Sequence, residues 1–354
     1  MNRWIHSPVF DGALILGPAV VSVLAVLLLP SLRAEATPPW GWLLFVVGVD
    51  VTHVWSSLYR TYLDPEEFER RRGRYLLTPL LCFGAGVALY SAGSLVFWRV
   101  LAYLAVLHFV RQQYGFVMVY RHRAGERGRA DGLLDKAAIY ATMLYPLAYW
   151  HATPERAYTW FVAGDFFALP GWTAGAAGLL YGAVLVAFAA RQVQRAARGE
   201  PFSWGKIGIV ASTAATWYIG IVAFNSDFAF TVTNVVAHGV PYMALVWLYG
   251  RRKWARDGSW RTAMHRPALA GAFVGLAVLL AYLEEGAWDA LVWRQHATLF
   301  GGVQLAGALP DDLLALLVPA LILPQATHYV LDAWIWKFDG SNPGLREYLF
   351  GAPR

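Results

Sequence analysis

A chain of 354 residues, 58% of them hydrophobic and only 15% charged, carries more apolar surface than a water-soluble core of that size can bury. This composition excludes an ordinary soluble domain, and the formal charge of +6 is accounted for by the loop pattern described below without nucleic acid as a partner. A single cysteine, Cys82, excludes an internal disulfide and any CxxC metal site.

Apolar runs of about 17–25 residues, the length that crosses a bilayer, predict about ten transmembrane helices. In chain order they fall near residues 10–32, 40–60, 76–93, 95–120, 136–151, 171–190, 206–224, 229–250, 267–283 and 311–337. The first follows Pro8 with no small-residue cleavage site, so no cleaved signal peptide is expected. The fifth run is the shortest. Residues 152–171, with Trp160, Phe166 and Phe167, are expected on the outer membrane surface. Residues 284–310, with Glu284, Glu285, Trp293 and a Gly pair, are expected to form an external loop. No linker separates two domains, so residues 1–354 are expected to form one all-α, polytopic membrane helical bundle.

The loops give the orientation. Lysine and arginine crowd into residues 60–74, 121–136, 191–206 and 251–266, and recur at Lys337, Arg346 and Arg354. The intervening loops hold only Arg33, Arg156 and Arg294, while Arg99 and Arg111 fall inside the fourth helix. Positive residues stay in the cytoplasm, so both termini are expected there, with the basic loops against anionic lipid headgroups. The wealth of Ala, Gly and Arg points to a high-GC bacterial source and hence to the inner membrane.

Ionisable groups at membrane depth are costly, so each demands a reason. The second helix carries Asp50 and His53, and the fourth carries His108, Arg111, Gln112 and Gln113. The eighth carries Asn234 and His238, and the tenth Gln325, His328 and Asp332. All four helices run the same way under this topology. Their histidines lie roughly 10–20 Å from the basic loops at ~1.5 Å per residue. Each has a polar partner three or four residues away, on one helix face. Four imidazole-bearing stripes at one level are buried most cheaply against one another.

Imidazole is a borderline donor that suits iron, copper or zinc, so His53, His108, His238 and His328 are the candidate metal ligands, with Asp332 as a fifth. Asp50 binds the metal or holds a ligand ring through its second N–H, and Gln112 supplies a supporting hydrogen bond. Arg111 stays charged and calls for an anion, either a carboxylate of the site or an acidic substrate group. Trp55, Tyr114, Tyr242 and Tyr329 sit close to the histidines in sequence and could line a substrate path. His122 and His265, among basic residues, are expected to be solvated, with His151 at a helix end and His296 in the external loop. His6 and Asp11 could reach the site from the cytoplasmic side.

Known families share pieces of this pattern. The chain lacks the HxxxH and HxxHH boxes of membrane fatty-acid desaturases. Residues 66–71 read EEFERR, matching the EExxxR of CAAX-type membrane proteases, but they lie in a charged loop with no FxxxH element. One histidine on each of several alternate helices is similar to haem A synthases, without their ExxHR. The HG at His238 and the HF at His108 are too short to establish kinship with Brp/Blh-type carotene dioxygenases. No family is assigned.

The expectation is therefore an integral membrane metalloenzyme, a non-haem iron oxidase or oxygenase acting on a lipid-soluble small molecule with an external electron donor. Three alternatives use the same residues. Facing histidines, such as His53 with His108 or His238 with His328, could ligate b-type haem for electron transfer. Zinc would make a membrane hydrolase. Intramembrane Asp, His and Arg would also serve a proton-coupled transporter.

Overall fold

A computed structural model describes residues 3–255, 258–302 and 309–351. Arg256 and Arg354 of the basic loops, and residues 303–308 of the expected external loop, lie outside the described residues. Among the described residues the secondary structure is helical, with no strand. Ten long elements follow the predicted runs: α1 (Pro8–Leu28), α2 (Pro39–Arg60), α3 (Arg72–Ala92), α4 (Ser94–Ala124), α5 (Arg129–Ala152), α6 (Trp172–Ala197), α7 (Trp204–Ala223), α8 (Asp227–Lys253), α9 (Pro267–Trp293) and α10 (Asp311–Leu321 with Leu323–Ile335).

Eight of these are long and apolar enough to cross a membrane, and α10 makes a ninth if its two halves, bent by 43°, count as one span. The chain is thus consistent with a multi-pass membrane protein. Helix α5 forms, but Arg129, Asp131, Asp135 and Lys136 occupy its first two turns and leave a short apolar run. The bend in α10 falls at Ile322, between Pro319 and Pro324, where missing N–H groups and ring clashes break the helical ladder.

The expectation of a loop from residue 284 is corrected. Helix α9 continues to Trp293 and ends at Arg294, in the left-handed conformation, so Glu284 and Glu285 are helical. Trp288 and Trp293 pack against Trp98 in an aromatic cluster, which repays extending the helix past its two carboxylates.

The chain divides into two compact units. The first comprises Met1–Thr37, Val106–Trp160 and Phe166–Pro241, and the second Pro38–Ala105, Phe161–Asp165 and Tyr242–Arg354. In the first, α5 packs along α6, and α7 packs against α5 and α1. Its polar core is an ion cluster: Lys206, fully buried, reaches Glu126 at 2.5 Å and Asp135 at 3.0 Å, while Arg121 pairs with Asp135 at 2.7 Å. Gly205, next to Lys206, makes room for the Tyr120 ring, which a Cβ there would meet at 2.3 Å. Asp11 is committed nearby: its carboxylate accepts from the backbone N–H groups of Ile5 and His6 and from the Tyr120 hydroxyl, tying down the N-terminal turn.

In the second unit, α9 packs on α2 and both halves of α10 pack on α3. Its ion cluster centres on Glu67, fully buried among Arg60, Arg70 and Arg71, which accepts the Tyr75 hydroxyl at 2.9 Å. Asp64 accepts from Tyr249 and Lys253 at 2.9 and 2.8 Å. Burial alone would raise the Glu67 carboxyl, but Arg60, the Tyr75 hydroxyl, Arg71 and Arg70 hold it below its ordinary value.

Candidate metal centre

Among the described residues, each unit contains one pair of buried histidines whose rings meet edge to face. In the first, His108 on α4 and His238 on α8 have ring centroids 5.0 Å apart with planes at 81°. In the second, His53 on α2 and His328 on α10 have centroids 5.1 Å apart with planes at 79°. All four are at most 6% exposed.

Local helix distortions precede two of the four. Residues 42–51 of α2 and 231–235 of α8 are π-helical, ending just before His53 and His238. The wider π turn advances the following residues around the axis, and such turns are frequent at functional sites. His328 follows the α10 bend by six residues.

The two pairs are held differently. In the first unit, Phe109 stacks flat on His238 at 3.8 Å, fixing its ring plane. Gln112 donates its Nε2 to the His238 backbone carbonyl at 2.9 Å, and a ring nitrogen of His108 lies within 4.8 Å of one of His238. Gln113 accepts from the Thr213 hydroxyl at 3.4 Å. The carbonyl oxygens of Gln112 and Asn234 are buried with no hydrogen-bond partner among the described residues. In the second unit, the Asp50 carboxylate stands 3.6 Å from His53 Nδ1. Asp332 has an oxygen within 4.8 Å of a ring nitrogen of His328 and accepts from Trp336 Nε1 at 2.7 Å. Tyr242 packs edge-on against both rings, 5.6 Å from His53 and 5.1 Å from His328.

These buried histidine and aspartate groups could hold a metal ion. Two imidazoles bonded to one ion at about 2.0–2.1 Å, at a tetrahedral angle, place their centroids about 5.2 Å apart. Both pairs match that spacing. Trans ligation across a haem would need about 6.4 Å with the same bond length.

Other positions differ from the sequence reading. Arg111 is exposed, while Gln112 and Gln113 on the same helix turn inward. His122 is exposed as expected, but His265 is not solvated: it is 1% exposed. Its ring sits among Tyr59, Trp254 and Phe273, in a place that exists because Gly250 has no side chain; a Cβ there would lie 2.1 Å from His265 Nε2. Burial pushes the His265 imidazole below its ordinary value. His151 bonds the Leu147 carbonyl and stacks on Phe166, and His296 stacks on Trp42 at 4.2 Å.

Glu284, expected in an external loop, instead neighbours the second pair through Trp55. It accepts from Trp55 Nε1 at 2.6 Å, two residues after His53. The signal was present in the sequence, since a helix continued past residue 283 carries Glu284 on the same element as the apolar run before it. No protein family, no curated protein and no solved structure matches the chain.

Proposed function

We propose that the chain is a multi-pass membrane metalloenzyme, a non-haem iron oxidase or oxygenase of a lipid-soluble small molecule. His53, His108, His238 and His328 supply its metal ligands. The observation that carries this reading is the cis-ligand spacing of both buried pairs, 5.0 and 5.1 Å, shorter than trans ligation of a haem requires. An imidazole-rich set with carboxylate suits iron with open positions for dioxygen. Asp332 is a ligand or a hydrogen-bond acceptor beside His328. The Asp50 carboxylate stands 3.6 Å from His53 Nδ1, within reach of the ring on closing by a few tenths of an ångström, and Gln112 joins α4 to the His238 turn of α8. Arg111, being exposed, stands outside the centre. The substrate enters from the lipid, and an external donor supplies electrons. Both termini lie in the cytoplasm of a bacterium, with the protein in its inner membrane.

The test is the metal content of detergent-purified variants. Alanine at any of the four histidines should lower iron strongly, whereas His122→Ala and His151→Ala should leave it unchanged. Equal iron in both sets contradicts the assignment, and zinc in place of iron throughout redirects it to hydrolysis. The 43° bend beside His328 favours one other reading, a proton-coupled transporter built on a broken helix. Proton-driven uptake in proteoliposomes by a metal-free protein would establish that instead.

A further inference from the structure

Within the second unit, α3 and α10 meet along a seam. Arg74 at the start of α3 stands over Trp334 near the end of α10, and Gly86, farther along α3, abuts Pro319, so the two helices run antiparallel. We propose that the basic end of this seam binds one anionic phospholipid, its phosphate held by Arg74, Lys337 and the Trp334 indole and an acyl chain laid along the seam. This is one discrete site, beyond the general attraction of basic loops to lipid, and it does not depend on the reading of the histidines.

The headgroup end is built from donors that lack an anion. The Arg74 guanidinium stands 4.4 Å from the Trp334 ring centroid, and the Lys337 ammonium 4.1 Å from the same centroid. Two cations sharing one ring repel each other, and an anion between them turns that repulsion into two attractions. Among the described residues neither cation lies in an ion pair, whereas Arg60, Arg70 and Arg71 are committed to Glu67. Asp339, two residues after Lys337, is engaged by the Ser341 backbone N–H at 3.0 Å, and Lys337 acts on it only weakly. Trp336 donates its Nε1 to Asp332, but the indole N–H of Trp334, 41% exposed, makes no hydrogen bond among the described residues. Arg74 also occupies the first turn of α3, where the helix dipole disfavours a cation and favours an anion. Helix stability therefore does not account for Arg74.

Away from the charges the seam is apolar and open. Leu77 and Leu81 follow Arg74 on one face of α3, and Val330 precedes Trp334 by one turn of α10; all three are exposed. From Arg74 to Gly86 the seam runs about 18 Å at ~1.5 Å per residue, against about 15 Å for half of a bilayer's hydrocarbon core. It thus spans the depth of one leaflet, with the donors at the headgroup end. Free phosphate would use the charged end alone, whereas a phospholipid uses both. Charge selects among lipids: a zwitterionic headgroup carries its own ammonium, which Arg74 and Lys337 repel, and an anionic one does not.

Native mass spectrometry of the delipidated full chain in detergent, titrated separately with dioleoyl phosphatidylglycerol and dioleoyl phosphatidylcholine, tests this. The first phosphatidylglycerol should bind more tightly than the first phosphatidylcholine. Arg74→Gln and Lys337→Gln should each weaken that first phosphatidylglycerol about fivefold, the effect of one basic residue beside anionic lipid. Arg74→Lys should keep most of the affinity, and Leu81→Gln should weaken both lipids while leaving the preference between them. Arg251→Gln, which removes another exposed cation standing over an indole, that of Trp247 at 5.2 Å, should leave the first binding step unchanged. Equal binding of the two lipids, or the same loss in Arg251→Gln as in Arg74→Gln, overturns the site in favour of diffuse charge attraction. Displacement of phosphatidylglycerol by millimolar inorganic phosphate overturns the lipid as occupant. The substituted side chains lie at the surface, and unchanged melting temperatures in detergent separate lost binding from lost folding.

Discussion

The two units solve one problem with different chemistry. Both bury a pair of imidazoles at the same spacing, and both bury an ion cluster fed by a basic loop. In the first unit the histidines are steadied by an aromatic face and neutral amides, Phe109 on His238 and Gln112 on its carbonyl. In the second they are flanked by Asp50 and Asp332, with Tyr242 edge-on to both rings. The ion clusters differ as well. Lys206 is fully buried between two acids that Arg121 and Arg195 also reach, whereas Glu67 is a buried acid among three arginines. The same ring spacing thus occurs beside neutral amides in one unit and beside carboxylates in the other.

The largest effect is expected where removing a fully buried cation leaves two buried acids with weakened compensation, Asp135 keeping Arg121 and Glu126, among the described residues, only Arg195 at 3.7 Å. Lys206→Met leaves Glu126 and Asp135 with less compensation and should cost about 3–5 kcal/mol, read as a fall in apparent melting temperature in detergent. Arg70→Met in the second unit should cost far less, because Arg60 and Arg71 remain on Glu67 and Arg70 itself is partly exposed. Equal losses would break the comparison. Next in size, Asp50→Asn should weaken metal binding by roughly 10–100-fold, as expected for a carboxylate that orients a histidine ligand. Gln112→Leu, its counterpart in the first unit, should change affinity by less. Gly250→Ala drives a methyl into His265 and should cost about 1–3 kcal/mol by overpacking.

The smallest effect is in the pH profile. The His265 imidazole is depressed by burial, so its contribution to stability is complete above the ordinary histidine value and is lost as pH falls through that value toward the depressed one. The Glu67 carboxyl is depressed too, but its contribution is lost only below the ordinary carboxyl range. Between pH 7.5 and pH 5.5, His265→Leu should therefore flatten the decline in melting temperature, and Glu67→Gln should lower the whole curve without changing its slope. A slope that His265→Leu leaves untouched would remove His265 from the account.

Much of the fold was legible in the sequence because hydropathy over the length of a bilayer is a strong signal; the ten predicted runs fall largely in helices, eight or nine of which are long and apolar enough to cross a membrane. Helix α9 was cut short because Glu284 and Glu285 interrupt its apolar run, and the Trp288–Trp293–Trp98 packing that extends it is tertiary. The four site histidines were legible as isolated ionisable groups at depth. Their pairing, His108 with His238 and His53 with His328, was not, because helix neighbours are not written in any one helix. Arg111 lies three residues from His108, about 60° around the axis, too small an angle for sequence spacing to separate an inward from an outward residue. The burial of His265 depends on the missing side chain of Gly250, fifteen residues away on another element, and no local pattern announces it.

The central claim is that these histidines hold a non-haem metal. Elemental analysis and a visible absorption spectrum of the protein, purified in detergent without chelator, test it most directly. The account predicts bound iron with no Soret band. A Soret band, or a folded protein that carries no metal and takes up none, would contradict it.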